Sequence, residues 1–101
     1  MAHTLNDYLT LLEGEGLLSA PVPEGLDREQ PIALVSCDSR NVVPGTLFVC
    51  KGVHFRAEFL EMARSRGAVV YAGERVFPEC PLPCLLLSDL RRAMALLADL
   101  C

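Results

Sequence analysis

Apolar residues near the start of the chain recur at the spacing of a helix. Leu5, Leu9 and Leu12 would share one face of a helix over residues 4 to 13. Thr4 is a suitable N-cap, and Asp7 follows at the spacing of a capping box, in which side chains satisfy the first backbone N–H groups. The pattern therefore predicts an amphipathic first helix.

Two later segments repeat the helical spacing. The second predicted helix covers Ala57 to Arg66, and Gly67 follows it where a C-cap favours a residue with positive φ. Ser88 is the predicted N-cap of a third helix, because its hydroxyl can accept from a backbone N–H of the first turn. The apolar positions of that helix are Leu90, Ala93, Met94, Leu97 and Leu100.

Four short runs are apolar without alternation, which is typical of strands covered on both faces. The runs are Ile32 to Ser36, Thr46 to Cys50, Ala68 to Ala72 and Cys84 to Leu87. Because a predicted helix lies between the second and third runs, these two strands should pair in parallel through a right-handed crossover. The order of elements favours an α/β fold.

The connections between these elements also have a recognisable composition. Val43 to Thr46 suits a type II turn, because Pro44 presets φ at the second position and Gly45 supplies a positive φ at the third. Residues 19 to 31 are rich in proline and acidic residues and show no periodicity. We interpret that segment as an extended surface loop.

Composition limits the class of protein. The 101 residues, 51% of them hydrophobic, fit one globular domain over residues 1 to 101. A net charge of −4 argues against a broad nucleic-acid surface, which would need a clustered basic face. No apolar run approaches the ~20 residues that span a bilayer, and the start of the chain lacks a signal-peptide pattern, so we expect a cytoplasmic protein without a membrane partner.

Cysteine spacing gives little support to a disulfide or a metal site. The five cysteines are Cys37, Cys50, Cys80, Cys84 and Cys101. Most lie in apolar runs, where a free thiol packs as a small hydrophobic group. Cys80 and Cys84 have a spacing within reach of zinc motifs, but no second ligand pair follows, and His3 and His54 lie far away in sequence. We therefore expect neither disulfides nor a bound metal.

The first candidate site is the loop Asp38-Ser39-Arg40 after the first predicted strand of the sheet. Ligands of open α/β sheets bind at the carboxyl ends of strands, and Ser39 with the nearby backbone could bind a polar edge. The alternative is a purely structural loop, in which Asp38 and Arg40 form a local ion pair and Ser39 bonds its own backbone. The spacing alone favours the structural alternative.

The second candidate site is Lys51 to Phe55, which joins the next strand to the second helix. Gly52 allows close approach of a ligand, Lys51 can meet a phosphate, and His54 or Phe55 can lie against a flat ring. The alternative is an exposed lysine, a turn glycine and a core Phe55. No Ser-His-acid or Cys-His-acid arrangement can be argued, and no GxxxxGK[ST] segment occurs, so we name no catalytic residue.

Taken together, the motifs resemble a known family. The series "CDSRNVVPGTLFVCKG", then "GAVVYAGE", then "LLLSDLRRAMALLA" is similar to the amino-terminal domain of the muramyl peptide ligases. It most resembles the type that adds the third residue of the stem peptide. The resemblance runs from about Ile32 to the last residue, whereas residues 1 to 31 match only in general character.

The resemblance implies a function in peptidoglycan synthesis. The family's ligases are ATP-dependent amide ligases of three domains, the first of which binds the UDP end of a UDP-N-acetylmuramoyl-peptide. The implied fold is three-layered, with a small mixed, largely parallel sheet flanked by helices. ATP and Mg²⁺ belong to later domains, so this chain would bind substrate, need no cofactor of its own, work with the remaining domains in cis and be inactive alone.

Carried over to this sequence, the resemblance implies specific site residues. The uridine contacts fall on Cys37 and Ser39 in the first loop and on Val53, His54 and Phe55 in the second. Asp38, Arg40, Lys51 and Gly52 are expected to support the two loops. The second loop is shorter than in many members, and Cys37 stands where leucine is common. Two alternatives remain: the same domain of the dipeptide-adding ligase, and a non-catalytic interaction module.

Overall fold

The structure is a computed structural model that describes residues 3–51 and 57–100. Within these ranges the chain forms two small sheets and three helices. In chain order the elements are β1 (His3–Thr4), α1 (Leu5–Gly14), β2 (Pro31–Ile32), β3 (Leu34–Ser36), β4 (Thr46–Val49), α2 (Ala57–Ser65), β5 (Ala68–Gly73), β6 (Cys84–Leu86) and α3 (Leu90–Leu100). None of the helices in these ranges is long and apolar enough to cross a membrane.

The main sheet has the order β3-β4-β5-β6, and its neighbouring strands are all parallel. The register aligns Ser36 of β3, Phe48 of β4, Tyr71 of β5 and Cys84 of β6 across the sheet. The predicted parallel pairing of the second and third strands is confirmed. The carboxyl ends of the strands therefore share one edge, which is where α/β proteins place ligands.

Successive strand residues point to opposite faces of the sheet, and each face buries its own core. Leu47 and Val49 of β4 pack with α1 and α3, whereas Phe48 and Cys50 pack on the face covered by Leu60 and Ala63 of α2. This arrangement is the three-layered α/β fold expected from the sequence. It also explains why the strand runs lack alternation, since both faces of the strands are covered.

One predicted strand is wrong in its extent. Pro31–Ile32 pairs antiparallel with His3–Thr4, whereas Leu34–Ser36 pairs parallel with β4 in the main sheet. Ala33 lies between them and donates its N–H to the carbonyl of Gly45 at 2.9 Å. The run of residues 32 to 36 thus belongs to two sheets.

An antiparallel segment adds a mixed character to the edge of the sheet at β6. Leu18 bridges Leu87 in antiparallel orientation. The N–H of Ser19 bonds to the carbonyl of Leu86 at 2.9 Å, and the N–H of Ser88 bonds to Leu17 at 2.8 Å. The expectation of a mixed, largely parallel sheet is therefore confirmed.

The predicted capping box and the two predicted positive-φ glycines are present in the structure. Thr4 donates its N–H to the carboxylate of Asp7 at 2.9 Å, so the predicted capping box forms. Gly67 has φ +112°, and Gly45 has φ +90° within the predicted turn.

The predicted N-cap Ser88 is wrong. Asp89 accepts the N–H of Arg92 at 3.1 Å, while the hydroxyl of Ser88 bonds to the carbonyl of Leu17. Ser88 is occupied with the antiparallel segment, and the next residue caps the helix instead.

Candidate functional site

The two candidate loops leave the same edge of the sheet from neighbouring strands. Ser36 ends β3 opposite Phe48, and β4 continues to Val49 before the chain reaches Lys51. The first loop and the start of the second therefore lie side by side. Gly52, Val53, His54 and Phe55 lie outside the described residues, and Ala57 begins α2 directly after that segment.

A tight turn shapes the first loop. Asn41 donates its N–H to the carbonyl of Asp38 at 2.9 Å. The carboxylate of Asp38 accepts the backbone N–H of Arg40 at 2.9 Å and two guanidinium bonds from Arg40 at 3.1 Å. The Arg40 side chain, bonded to the Asp38 carboxylate, holds the pKa of that carboxyl below its usual value. Both charged residues are thus engaged within the loop.

Ser39 differs from its two neighbours. The residue is only 9% exposed, yet no hydrogen bond in the described part of the chain involves its hydroxyl or its N–H. Since no fully buried polar side-chain atom among the described residues lacks a partner, the small exposed part of Ser39 includes the hydroxyl. The loop therefore presents a donor and acceptor that the protein itself does not use.

The other predicted residues of the described loops lie at the surface. Cys37 is exposed with a free thiol. Lys51 is exposed and forms no ion pair within residues 3–51 and 57–100. Lys51 thus places one exposed positive charge just after β4, the strand next to the one that leads into the Ser39 loop, where an anion can be met without a basic surface.

Two residues that support the first loop were not named from the sequence. The Ser36 hydroxyl donates to the carbonyl of Asp38 and accepts the N–H of Asp38, each at 3.2 Å. Arg66 donates to the carbonyl of Arg40 at 3.3 Å, across 26 positions of sequence. A serine two residues before the first residue of the Asp38-Ser39-Arg40 turn is a usable local signal, since serine commonly bonds the backbone two residues on. No local pattern points to Arg66.

The amino end of α3 is closed to an anionic ligand. Glu74, directly after β5, accepts the N–H of Leu90 at 3.1 Å, and Asp89 accepts that of Arg92. Two carboxylates thus occupy the N–H groups that an anion would otherwise bind. This helix end is therefore a weaker candidate for an anion than the loops that follow β3 and β4.

A cavity of about 510 Å³ lies elsewhere in the fold. It is lined by Pro23, Glu24, Gly25, Leu26, Asp27, Gln30, Pro81 and Pro83. Pro83 directly precedes β6, so the cavity is next to the amino end of that strand. None of the described candidate residues, Cys37 to Arg40 and Lys51, lines it.

The thiols of the described residues are free. Burial raises the pKa of Cys50 to about 12 and also raises the pKa of Cys84. Within the described ranges, no three His, Cys, Asp or Glu side chains come together in a way that could hold a metal ion.

Comparison with known proteins identifies the family. The chain is 36% identical over 99 residues to the UDP-N-acetylmuramyl-tripeptide synthetase of Lactobacillus acidophilus, with 97% of this chain and 19% of that protein covered. It is 42% identical over 65 residues to the UDP-N-acetylmuramoyl-L-alanyl-D-glutamate--L-lysine ligase of Streptococcus thermophilus, covering 64% of this chain and 13% of the relative. No protein-family model matches the sequence.

Solved structures share the fold of this chain. A crystal structure of MurF from Acinetobacter baumannii superposes with a TM-score of 0.68 and 23% identity, covering 96% of this chain and 20% of that one. These relatives show that the chain is a homologue of the muramyl peptide ligases of peptidoglycan synthesis, and the resemblance stated from the sequence is confirmed. The chain spans about a fifth of the length of the curated relatives that it matches over nearly all its residues.

Proposed function

We propose that the chain is the amino-terminal substrate domain of a ligase that extends UDP-N-acetylmuramoyl-L-alanyl-D-glutamate, and that it binds the UDP end. The observation that carries this proposal is Ser39, which is nearly buried and leaves its hydroxyl and N–H without a partner in the described chain. The similarity to tripeptide synthetases and to a lysine-adding ligase supports it.

The chemistry of uracil fits such a loop. The ring is neutral and has a fixed pattern of donors and acceptors, which a hydroxyl and backbone groups can read without a net charge. Asp38 and Arg40 neutralise each other, so the loop adds no strong field. Lys51, at the end of the neighbouring strand, supplies one positive charge for the diphosphate, while the overall charge stays at −4. Cys37, Val53, His54 and Phe55 are the further proposed contacts, and Gly52 allows close approach.

The chain's own residues do not fit an ATP site. It has no GxxxxGK[ST] segment to cradle phosphates, and its described residues bring no cluster of carboxylates together. In the proposal, ATP and Mg²⁺ act in the remaining domains of the ligase, in the cytoplasm. The 101-residue chain would therefore bind substrate and have no ligase activity alone.

The same domain of a dipeptide-adding ligase is a second candidate, because the MurF structures share the fold over 96% of this chain. The identity of 36% over 99 residues to a tripeptide synthetase favours the first assignment. A non-catalytic interaction module is the third alternative, and only a binding measurement separates it from the other two.

Titration calorimetry of the purified chain with UDP, and with inorganic phosphate as control, tests the proposal. We expect millimolar or tighter binding of UDP and weaker binding of phosphate, because one domain supplies only part of the substrate contact. Heat changes that are equal for both ligands, or absent with millimolar UDP, would favour the interaction module.

A further inference from the structure

The carboxyl end of α2 is attached to the connection between β3 and β4 at two points. Arg66 donates to the carbonyl of Arg40 at 3.3 Å, near the middle of that connection. At its far end, Gly45 donates its N–H to the carbonyl of Gly67 at 2.9 Å. The two segments come close here, since a Cβ built on Gly67 would lie 2.6 Å from the Cα of Pro44.

In the described part of the chain, the bond from Arg66 is the one long-range hydrogen bond to the turn of residues 38 to 41. The other hydrogen bonds of Asp38, Ser39, Arg40 and Asn41 in the described chain come from Ser36 or from within the turn. Arg66 also places positive charge near Asp38, which adds to the larger effect of Arg40 in lowering the pKa of the Asp38 carboxyl. Without Arg66, the turn would depend on local bonds alone.

The amino end of α2 follows the second candidate loop in sequence. Ala57, its first residue, directly follows residues 52–56, which follow Lys51. Arg66 directly follows Ser65, the last residue of this helix, so its bond to Arg40 attaches the first loop to the carboxyl end of α2.

We infer that Arg66 is a positioning residue for nucleotide binding: through the carbonyl of Arg40 it fixes the turn that presents Ser39. This inference rests on the proposed function. Arg66 itself is not expected to touch the ligand. Its effect should therefore be visible both in UDP affinity and in the order of the turn without ligand.

The test compares the chain with three variants: Arg66→Ala, Arg66→Lys and Arg64→Ala. Arg64 is the matched control, because it is an exposed arginine in the last turn of α2 whose side chain pairs with Glu61 and has no hydrogen bond to the first loop in the described part of the chain. Each protein is measured for its UDP dissociation constant, its melting temperature and the amide hydrogen exchange of Arg40 and Asn41.

We expect Arg66→Ala to weaken UDP binding about fivefold, because the turn that presents Ser39 would be held by local bonds alone; a factor of this size matches the net effect of one ordinary hydrogen bond. Amide exchange of Asn41 should speed up by a similar factor, because its bond to Asp38 closes the turn. Arg66→Lys should restore part of both effects, and Arg64→Ala should match the parent chain. A merely structural role would lower the melting temperature without changing affinity below the transition.

The outcomes separate the two proposals. If the parent chain binds UDP and Arg66→Ala binds it equally well, the positioning inference is wrong. If exchange of Asn41 is unchanged in Arg66→Ala, it is also wrong, whatever UDP does. If the parent chain does not bind UDP while Arg66→Ala still loosens the turn, the proposed function fails but the attachment of the loop to α2 holds.

Discussion

The hydroxyl of Ser36 bonds to both backbone groups of Asp38: it donates to the carbonyl and accepts the N–H, each at 3.2 Å. Ser36 is the last residue of β3, so this pair of bonds joins the end of a strand to the turn that presents Ser39. A buried serine thus joins the candidate site to the sheet, in addition to the bonds that Asp38 and Arg40 make within the loop.

Ser36→Ala should lower both stability and affinity. Because it removes two hydrogen bonds at a buried position, we expect a loss of about 1 to 2 kcal/mol in the free energy of unfolding and several-fold weaker UDP binding. Urea unfolding and calorimetry measure the two quantities. Ser65→Ala is the control, since the Ser65 hydroxyl bonds an exposed helix carbonyl. Equal stability and equal UDP affinity of the two variants would contradict the role of Ser36 in holding the turn.

Ser39→Ala should separate binding from stability. The hydroxyl has no partner in the described protein, so its removal should change the free energy of unfolding by no more than about 0.5 kcal/mol. UDP binding should weaken about fivefold, the usual effect of one lost hydrogen bond. A loss of more than about 2 kcal/mol in stability with unchanged affinity would assign Ser39 to structure instead.

Gly67→Ala should be among the most disruptive glycine substitutions in the chain. Its φ of +112° is unfavourable for any other residue, and the new Cβ would lie 2.6 Å from the backbone of Pro44. We expect a loss of about 2 to 3 kcal/mol in urea unfolding. Gly14→Ala is the matched control, because its Cβ would meet nothing within 4 Å at the end of α1. That variant should be neutral or more stable by about 0.5 to 1 kcal/mol; similar losses in both would contradict the contact with Pro44.

Alkaline pH should destabilise the fold through its buried thiol. Burial raises the pKa of Cys50 from 9.0 to about 12, so the unfolded chain ionises first. Stability should be complete below pH 9.0 and fall as the pH rises toward 12, by about 1 kcal/mol per pH unit from this group. Tyr71, whose pKa burial raises from 10.0 to about 12, adds to the fall above pH 10.0.

Urea midpoints measured across this alkaline range check the expectation. Cys50→Ala should reduce the slope at the lower end of the range, before Tyr71 contributes. Cys37→Ala should leave the slope as it is in the parent chain, because that thiol is exposed. An identical slope in the parent chain and in Cys50→Ala would mean that the buried thiol does not govern alkaline stability.

The sequence predicts the fold well where a local pattern is itself the cause. The capping box of Thr4 and Asp7 and the positive φ of Gly45 and Gly67 are short-range features, so the residues alone indicate them. The three-layer order follows from uninterrupted apolar strands. The break at Ala33 was missed because both sides of it are apolar, and only the pairing partner shows which sheet each part joins.

Less of the candidate site than of the fold could be predicted from the sequence. Motif resemblance indicated Ser39, and its lack of a partner in the structure agrees with a free binding group. The roles of Ser88 and Arg66 depend on contacts across 71 and 26 positions, which no local pattern encodes. Val53, His54 and Phe55 lie outside the described residues and stay predictions.

The most direct test of the account is to follow backbone amide signals of the isotopically labelled chain while UDP is added. Binding at the proposed site should move the signals of Cys37 to Asn41 and of Lys51 and the residues after it, with inorganic phosphate moving the Lys51 region alone. Shifts concentrated near the cavity of Pro23 and Pro81, or no shifts at millimolar UDP, would contradict the claim that the ends of β3 and β4 form a nucleotide site.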